Sequence, residues 1–537
     1  MIEMSEATPI SPDRPLLLVV AVVAIAGAQS LAGGFIEDDF QNIDSRWIKS
    51  FSSLADIWTM EPAVADARQP VYRPIAATLF LVDHALFGPR PAAFHATNLI
   101  LHLACATLVF FVARRLTRNV SAAVSAALLL GLHPVPVEAW AYISARADLI
   151  ATLFLLATLL AIERAGPKPT WRAAIGVGLV AFLACLGKET ALIGLLWLCL
   201  RPNDAALTRN PTGLMLRPRV IIGALVAAGA TYFVIRSQFI TVPSEISDSK
   251  TLIDVIRVLP ILFGIGVADL VVPNHTARRS IAEDIDALDA WAYGAVAGAV
   301  IAVMIVMVLF GRRRPLLAWG TLGFAVCLAP GALGVIQRWD GLGRYFYLPL
   351  ACLAPAVGAI LAALWTRLKV ARLAIVGYAV ILATVLQGAI HALRDDRAVA
   401  TAAIDDFPKR SHGYALLGSL LCREGQLREG ASLLEHAIAL SPPVARNGSN
   451  YFRVFNLALC HFKSGRFSRA LEINQLGQRL FPMLVHFRLG AAHSFLALGD
   501  RGRARAEVEA GQQFAPNHPG LNRLMETLAP RNDKKKK

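Results

Sequence analysis

Phe35-Ile-Glu-Asp-Asp-Phe40 sets three carboxylates in a row, a few residues after an uncharged apolar run from about Pro15 to Ala32. At about 1.5 Å per residue that run is long enough to cross a hydrocarbon core of roughly 30 Å, so Glu37, Asp38 and Asp39 fall where lipid meets water. Adjacent carboxylates repel one another and add nothing to stability there. That favours a chemical task, as general base or cation site, over a merely solvated acidic turn. A carboxylate beside lipid is partly desolvated, which makes it a stronger base toward a hydroxyl proton.

Composition agrees with a lipid setting. Of 537 residues, 55% are hydrophobic and only 17% charged, against about a quarter charged in an ordinary soluble protein. The formal net charge is +15, but the arginines fall in short clusters between apolar runs. That is the positive-inside pattern, which reports topology and not a nucleic-acid partner. Five of the seven cysteines (Cys105, Cys185, Cys199, Cys327, Cys352) lie in apolar runs and read as small buried hydrophobes. Cys422 and Cys460 lie in a polar tail and can pair if it faces an oxidising compartment. No Cys/His spacing suggests zinc. The first apolar run lacks a basic leader and a small-residue cleavage site, so it reads as a retained anchor.

The stretch from the acidic cluster to about Arg90 carries Trp47, Trp58, Pro62, Pro70 and Pro74 and reads as a loop with short amphipathic helices on the bilayer. Further apolar runs follow at about 96–113, 120–133, 147–162, 172–186, 190–200, 219–237, 289–310, 316–334, 346–364 and 371–391. With the first they make eleven, the pair around Lys188 also reading as one bent span. The basic clusters put the amino terminus in the cytoplasm if 255–272, with Pro260 and Asp269, is re-entrant. The acidic loop, the 133–146 loop, Lys188, the 238–288 loop and Arg344 then share the non-cytoplasmic face, as does the tail.

The expected organisation is all-α. A polytopic membrane bundle fills 1–393, with 35–95 its first outer loop. A linker at 394–409, a helical repeat region at 410–530 and a basic tail at 531–537 follow. In the repeat region Ala458, Gly465, Ala470, Gly477 and Pro482 recur 34 residues later as Ala492, Gly499, Ala504, Gly511 and Pro516. An earlier set, Gly418, Gly425, Gly430, Ala437 and Pro442, is six residues longer because of an insert at 443–449. This period resembles the tetratricopeptide repeat, an α-solenoid whose concave face commonly holds an extended peptide.

Several polar residues stand where a purely structural membrane protein would avoid them. Arg73 sits in Tyr-Arg-Pro; His95, Asn98 and His102 share one helix face; His133, Glu138, Arg146 and Asp148 share one loop; Lys188-Glu189 splits two apolar runs; Arg344-Tyr345 precedes another. Singly, His102 also reads as a helix-packing histidine, Glu138 as a partner of Arg146, and Arg344 as a headgroup snorkel. Together they fit one reaction. Carboxylates supply a base, while Lys188, Arg146 and Arg344 hold an anion that carries a transferable group. A polyprenyl-phosphate sugar is such a molecule. The protein then binds the phosphate, deprotonates an acceptor hydroxyl and holds the two in line. A single base opposite the leaving group implies inversion.

An acidic pair opening a long first loop, Tyr-Arg-Pro, His-x-x-Asn-x-x-x-His, His-Pro-Val-x-Val-Glu-Ala, Gly-Lys-Glu-Thr, Arg-Tyr-x-Tyr-Leu-Pro and the repeat tail follow one another along the chain. This series resembles the transmembrane and tetratricopeptide repeat-containing O-mannosyltransferases and their bacterial relatives, within the GT-C class of integral membrane glycosyltransferases. The resemblance implies a GT-C bundle, a sugar donor on polyprenyl phosphate and a protein or peptide acceptor recruited by the repeats. It makes Asp38 the base, Asp39 its assistant and Lys188 a contact to the donor phosphate. Arg73, His95, Glu138, Arg146, Arg344 and Tyr345 join the substrate site. No cofactor is required, although Glu37, Asp38 and Asp39 have the hard oxygens that Mg²⁺ or Mn²⁺ takes. Rival readings are an oligosaccharide ligase or polymerase using a diphosphate-linked glycan, for which Arg278 and Arg279 leave room, and a membrane scaffold or transporter without catalysis. Asn274 and Asn447 begin glycosylation sequons.

Overall fold

The computed structural model describes residues 13–44, 48–59, 71–202, 214–239, 252–273, 314–336, 343–442, 451–516 and 518–528, with Gly294 and Gly298. Trp47, Pro62, Pro70, Arg278, Arg279, both sequons, the body of the 289–310 run and the basic tail lie outside these residues. The chain forms two compact units, one of Met1–Ile336 with Asp340–Asp395, the other chiefly Asp396–Lys537.

Among the described residues of the first unit, seven helices are long and apolar enough to cross a membrane: Arg14–Ala32, Pro91–Thr117, Ile143–Ala165, Arg219–Phe239, Pro315–Leu333, Gly343–Arg367 and Lys369–Ala392. Four shorter apolar helices accompany them, Pro74–Phe87, Val120–Leu132, Trp171–Gly187 and Val258–Val271. Pro74–Phe87 arises inside the stretch expected to be loop, because Pro74 presets its first turn and ten apolar residues follow. The 190–200 run is only a short helix, Ala191–Leu198, which the Lys188–Thr190 break separates from Trp171–Gly187.

Local chemistry sets the helix ends. Pro91 opens Pro91–Thr117, and Arg114 and Arg115 complement the dipole of its last turn. Asn119 caps Val120–Leu132 by accepting the Ala122 N–H, and Thr170 caps Trp171–Gly187 through Ala173. Without a strong hydrophobic drive inside lipid, close packing rests on small residues. Gly358 lets Tyr347–Arg367 lie against the Ala122 carbonyl, where any Cβ would clash. The outward faces are apolar: Trp171, Ile175 and Leu179 form an exposed stripe, as do Val370, Leu373 and Val380. Such surfaces suit a bilayer as solvent.

The second unit contains three successive antiparallel helix pairs, Ser411–Glu424 with Leu427–Leu440, Tyr451–Lys463 with Phe467–Leu480, and Val485–Ala497 with Arg501–Phe514, followed by Pro519–Leu528. Gly425, Gly465 and Gly499 turn the chain within each pair at positive φ of 90°, 74° and 88°, a conformation glycine adopts without steric cost. Their cores include Leu434, Val454 and Phe487 in one cluster and Ala492, Val508 and Leu521 in the next. Cys422 and Cys460 are joined by a disulfide that ties the first pair to the second. Residues 394–409, expected as a linker, instead contain the helix Asp396–Asp406. It packs on Ser411–Glu424 through buried Val399 and Ala400 and an Arg423–Asp396 ion pair of 2.6 Å.

Candidate active site

The acidic stretch divides its labour by burial. Glu37 takes a left-handed backbone, φ 44°, unusual for a residue with a side chain, and the helix Asp38–Asp44 starts at once. Asp39 is 0% exposed. Its Oδ2 accepts the Ile36 N–H at 3.0 Å, and its Oδ1 accepts the Ser144 N–H at 2.8 Å and the Ser144 hydroxyl at 2.5 Å. Asp38 donates its backbone N–H to the Tyr142 hydroxyl at 3.2 Å, while its side chain is exposed. One carboxylate is therefore built in and its neighbour presented.

Behind this turn lies a dry polar network. Arg146, 0% exposed, pairs with Asp83 at 2.6 Å, donates to Asn98 Oδ1 at 2.7 Å and to the Phe94 carbonyl at 3.0 Å, and stacks over Phe80. Asn98 in turn donates to the Tyr142 carbonyl at 3.2 Å. Arg146 thus takes Asp83 as its carboxylate and not Glu138. A buried cation with this many partners is a structural tie and leaves little of its charge for a ligand. His95 reaches the Gly34 carbonyl at 3.3 Å, and Gly33 gives it room, since a Cβ there would come 2.8 Å from His95 Nε2. His102 lies between Trp140, stacked at 4.7 Å, and the Tyr347 hydroxyl at 2.7 Å, a satisfied core histidine.

Three expected cations gather on one locus. Arg73 makes a forked pair with Glu189, with its Nε 3.0 Å from Oε2. Lys188 Nζ donates to both oxygens of Asp148 at 2.7 Å and stands 4.8 Å from the Tyr345 ring centre. Arg344 lies over the same ring at 5.6 Å and donates its backbone N–H to Glu138 at 3.3 Å. Lys188 is within electrostatic reach of both Arg73 and Arg344, and Arg344 is within reach of Tyr142, the residue that holds Asp38. Burial disfavours both charges of the forked pair, but Glu189 outweighs it and holds Arg73 above its ordinary value, while Arg73 draws Glu189 down to about 2. Both side chains stay 26% and 34% exposed, so solvent screens the pair. Burial pulls Lys188 below its ordinary range, and Asp148 is the main attraction opposing that.

Asp148 and Glu189 therefore neutralise two of the three cations. The Arg344 guanidinium forms no close ion pair among the described residues, although Glu138 and Asp148 are within its electrostatic reach, and its buried Nε has no hydrogen-bond partner there. Tyr142, Ser144 and Asp83 carry weight that no motif announced. Asp83 had one signal, a lone carboxylate in an apolar helix. The three adjacent acids do not converge as a cation cradle, since Asp39 turns into Ser144 while Asp38 faces out. No group of three metal-ligating side chains is found among the described residues.

Residues 70–237 match the family described as Dolichyl-phosphate-mannose-protein mannosyltransferase. Over 182 residues the chain is 30% identical to protein O-mannosyl-transferase Tmtc1 of Drosophila melanogaster, covering 33% of this chain and 21% of that one. Over 189 residues it is 30% identical to protein O-mannosyl-transferase TMTC3 of Homo sapiens, covering 33% and 20%. The chain resembles the protein O-mannosyl-transferases. It spans about a fifth of the length of these curated relatives. The segment matching the mannosyltransferase family carries Arg73, His95, Glu138, Arg146, Asp148, Lys188 and Glu189, while Asp38 and Arg344 lie beyond it. A looser structural likeness, TM-score 0.36 at 11% identity over 72% of this chain and 56% of the other, is to the archaeal oligosaccharyltransferase AglB from Archaeoglobus fulgidus, solved with an inhibitory peptide and a dolichol-phosphate.

Proposed function

We propose that the chain is an inverting GT-C glycosyltransferase that moves a sugar from a polyprenyl-phosphate donor to a hydroxyl on a protein at the non-cytoplasmic face of the membrane. The observation that carries this reading is the pairing of an exposed Asp38 with a buried, bonded Asp39, linked through Tyr142 to the Arg344 locus. Asp38 takes the proton from the acceptor hydroxyl as its oxygen attacks the anomeric carbon. The bond from that carbon to the phosphate oxygen breaks on the opposite face, and the phosphate leaves with the electron pair. Arg344, whose buried Nε has no bond partner among the described residues, takes the charge that grows on the phosphate, with Lys188 adding to the local potential. The resemblance to the O-mannosyl-transferases supports mannose as the sugar. The helix pairs, read as tetratricopeptide repeats, would recruit the acceptor protein.

The test is Asp38→Asn in the purified full chain, assayed for transfer of labelled mannose from a polyprenyl monophosphate. Removing the general base should lower kcat by about 10²- to 10⁴-fold with donor affinity kept. Unchanged transfer would refute the assignment.

A further inference from the structure

We propose that Ser144 is a positioning residue for this transfer, acting through Asp39 to aim the Asp38 carboxylate. The proposal rests on the glycosyltransfer reading and adds a residue that no motif in the chain pointed to. Ser144 sits between two anchors. Toward the acidic turn its N–H and its hydroxyl both reach Asp39 Oδ1, at 2.8 and 2.5 Å, and its Oγ accepts a bond from Asn42 Nδ2 at 2.9 Å. These directions are fixed, because a carboxylate oxygen only accepts when ionised and an amide nitrogen only donates. The hydroxyl must therefore give its proton to Asp39 while receiving from Asn42. Toward the core, the segment that bears Ser144 is held at Tyr142 by Asn98, which Arg146 holds in turn.

The consequence is mechanical. Asp39 and Asp38 are consecutive at the start of one helix, so their side chains leave the axis about 100° apart. Fixing Asp39 on Ser144 fixes the rotation of that first turn, and with it the direction of Asp38. The Tyr142 hydroxyl pins the same turn a second time through the Asp38 N–H. The Glu37 backbone at φ 44° shows that the turn is held in a conformation that a side-chain-bearing residue rarely adopts unaided. A small misplacement of a reacting group lowers the rate without weakening the grip on the rest of the donor.

The experiment compares Ser144→Ala, Ser144→Thr and Asp39→Asn in the full chain, measuring kcat and donor KM with a polyprenyl-phosphate sugar. Ser144→Ala should lower kcat about 10- to 100-fold with KM within about twofold, and Ser144→Thr, which keeps the hydroxyl, should restore most of the rate. Ser144→Ala placed on Asp39→Asn should cost little more than Asp39→Asn alone, because both changes break the same link. Should Ser144→Ala not fold, Ser144→Cys, a weaker donor with the same backbone N–H, takes its place in the comparison. Parental kcat in Ser144→Ala, a loss confined to KM, no rescue by threonine, or full additivity with Asp39→Asn would each overturn the proposal. Those outcomes with an inactive Asp38→Asn strike Ser144 alone, whereas an active Asp38→Asn strikes the underlying reaction.

Discussion

The Lys188–Asp148 pair gives a quantitative test of how the cation locus is held. Lys188 is 3% exposed and gives two 2.7 Å bonds to a carboxylate whose own side chain is 11% exposed. Removing one partner of such a pair strands a buried charge, which typically costs about 3 to 5 kcal/mol, whereas removing both charges together is often close to neutral. Asp148 keeps slight contact with water, so the low end, about 3 kcal/mol, is expected for Asp148→Asn. If that loss falls on unfolding, the half-life of the detergent-solubilised protein at fixed temperature shortens by roughly 100-fold. Adding Lys188→Met removes the stranded ammonium and should recover about 2 kcal/mol of the loss. Activity should not follow stability. Burial already pulls Lys188 below its ordinary range, and without Asp148 the amine gives up its proton more readily still. Both variants should therefore show a raised donor KM. If the double variant is no more stable than Asp148→Asn, the ion pair does not hold this locus together and the reasoning fails.

Three further outcomes follow. Arg344→Met should raise donor KM about tenfold or more, since its guanidinium makes no close ion pair among the described residues and its Nε has no bond partner there; parental KM would move the phosphate elsewhere. The Cys422–Cys460 bond closes a loop with a separation of 38, for which the chain-entropy relation gives about 4 kcal/mol. Reduction should therefore speed amide exchange in Ser411–Leu480 by several hundredfold, and equal exchange with and without reductant would refute the bond. Glu189, held at about 2 by Arg73, binds protons less readily folded than unfolded. The stability it adds is present above about pH 4.5 and is lost as pH falls toward 2. Glu189→Gln should flatten that acid limb of a pH-stability curve, and an unaltered limb would show the pair to be without weight.

Much of the site was legible because ionisable residues inside apolar surroundings are conspicuous. Lys188 between two apolar runs and Arg344 ahead of another needed no structure to be noticed. What the order of residues hid was which charge answers which. Asp148 lies 40 positions before Lys188, on a helix while Lys188 sits in a break between two others, and no local period links them. Arg146 has Glu138 close in sequence yet pairs with Asp83 across the bundle. The helix Pro74–Phe87 was concealed by the polar stretch in front of it, and the helix Asp396–Asp406 by its weak apolar pattern. Its stability comes from packing on the next helix, which no propensity reports.

The opening stretch shows why two adjacent acids can be more useful than one. An isolated carboxylate at a lipid boundary would be free to rotate toward water, and a fully bonded one would have no lone pair left for an acceptor. Placing both in the first turn of a helix resolves the conflict, because successive residues at 3.6 per turn cannot face the same way. Asp39 turns inward and is saturated by Ile36 and Ser144, and Asp38 is left facing out on a turn that cannot swing. The helix must begin abruptly for this to work, which is what the left-handed Glu37 accomplishes. On this view Glu37→Gly, which relieves the backbone strain but frees the turn, should slow transfer. A variant that was both less stable and fully active would mean that the turn serves the fold and not the chemistry.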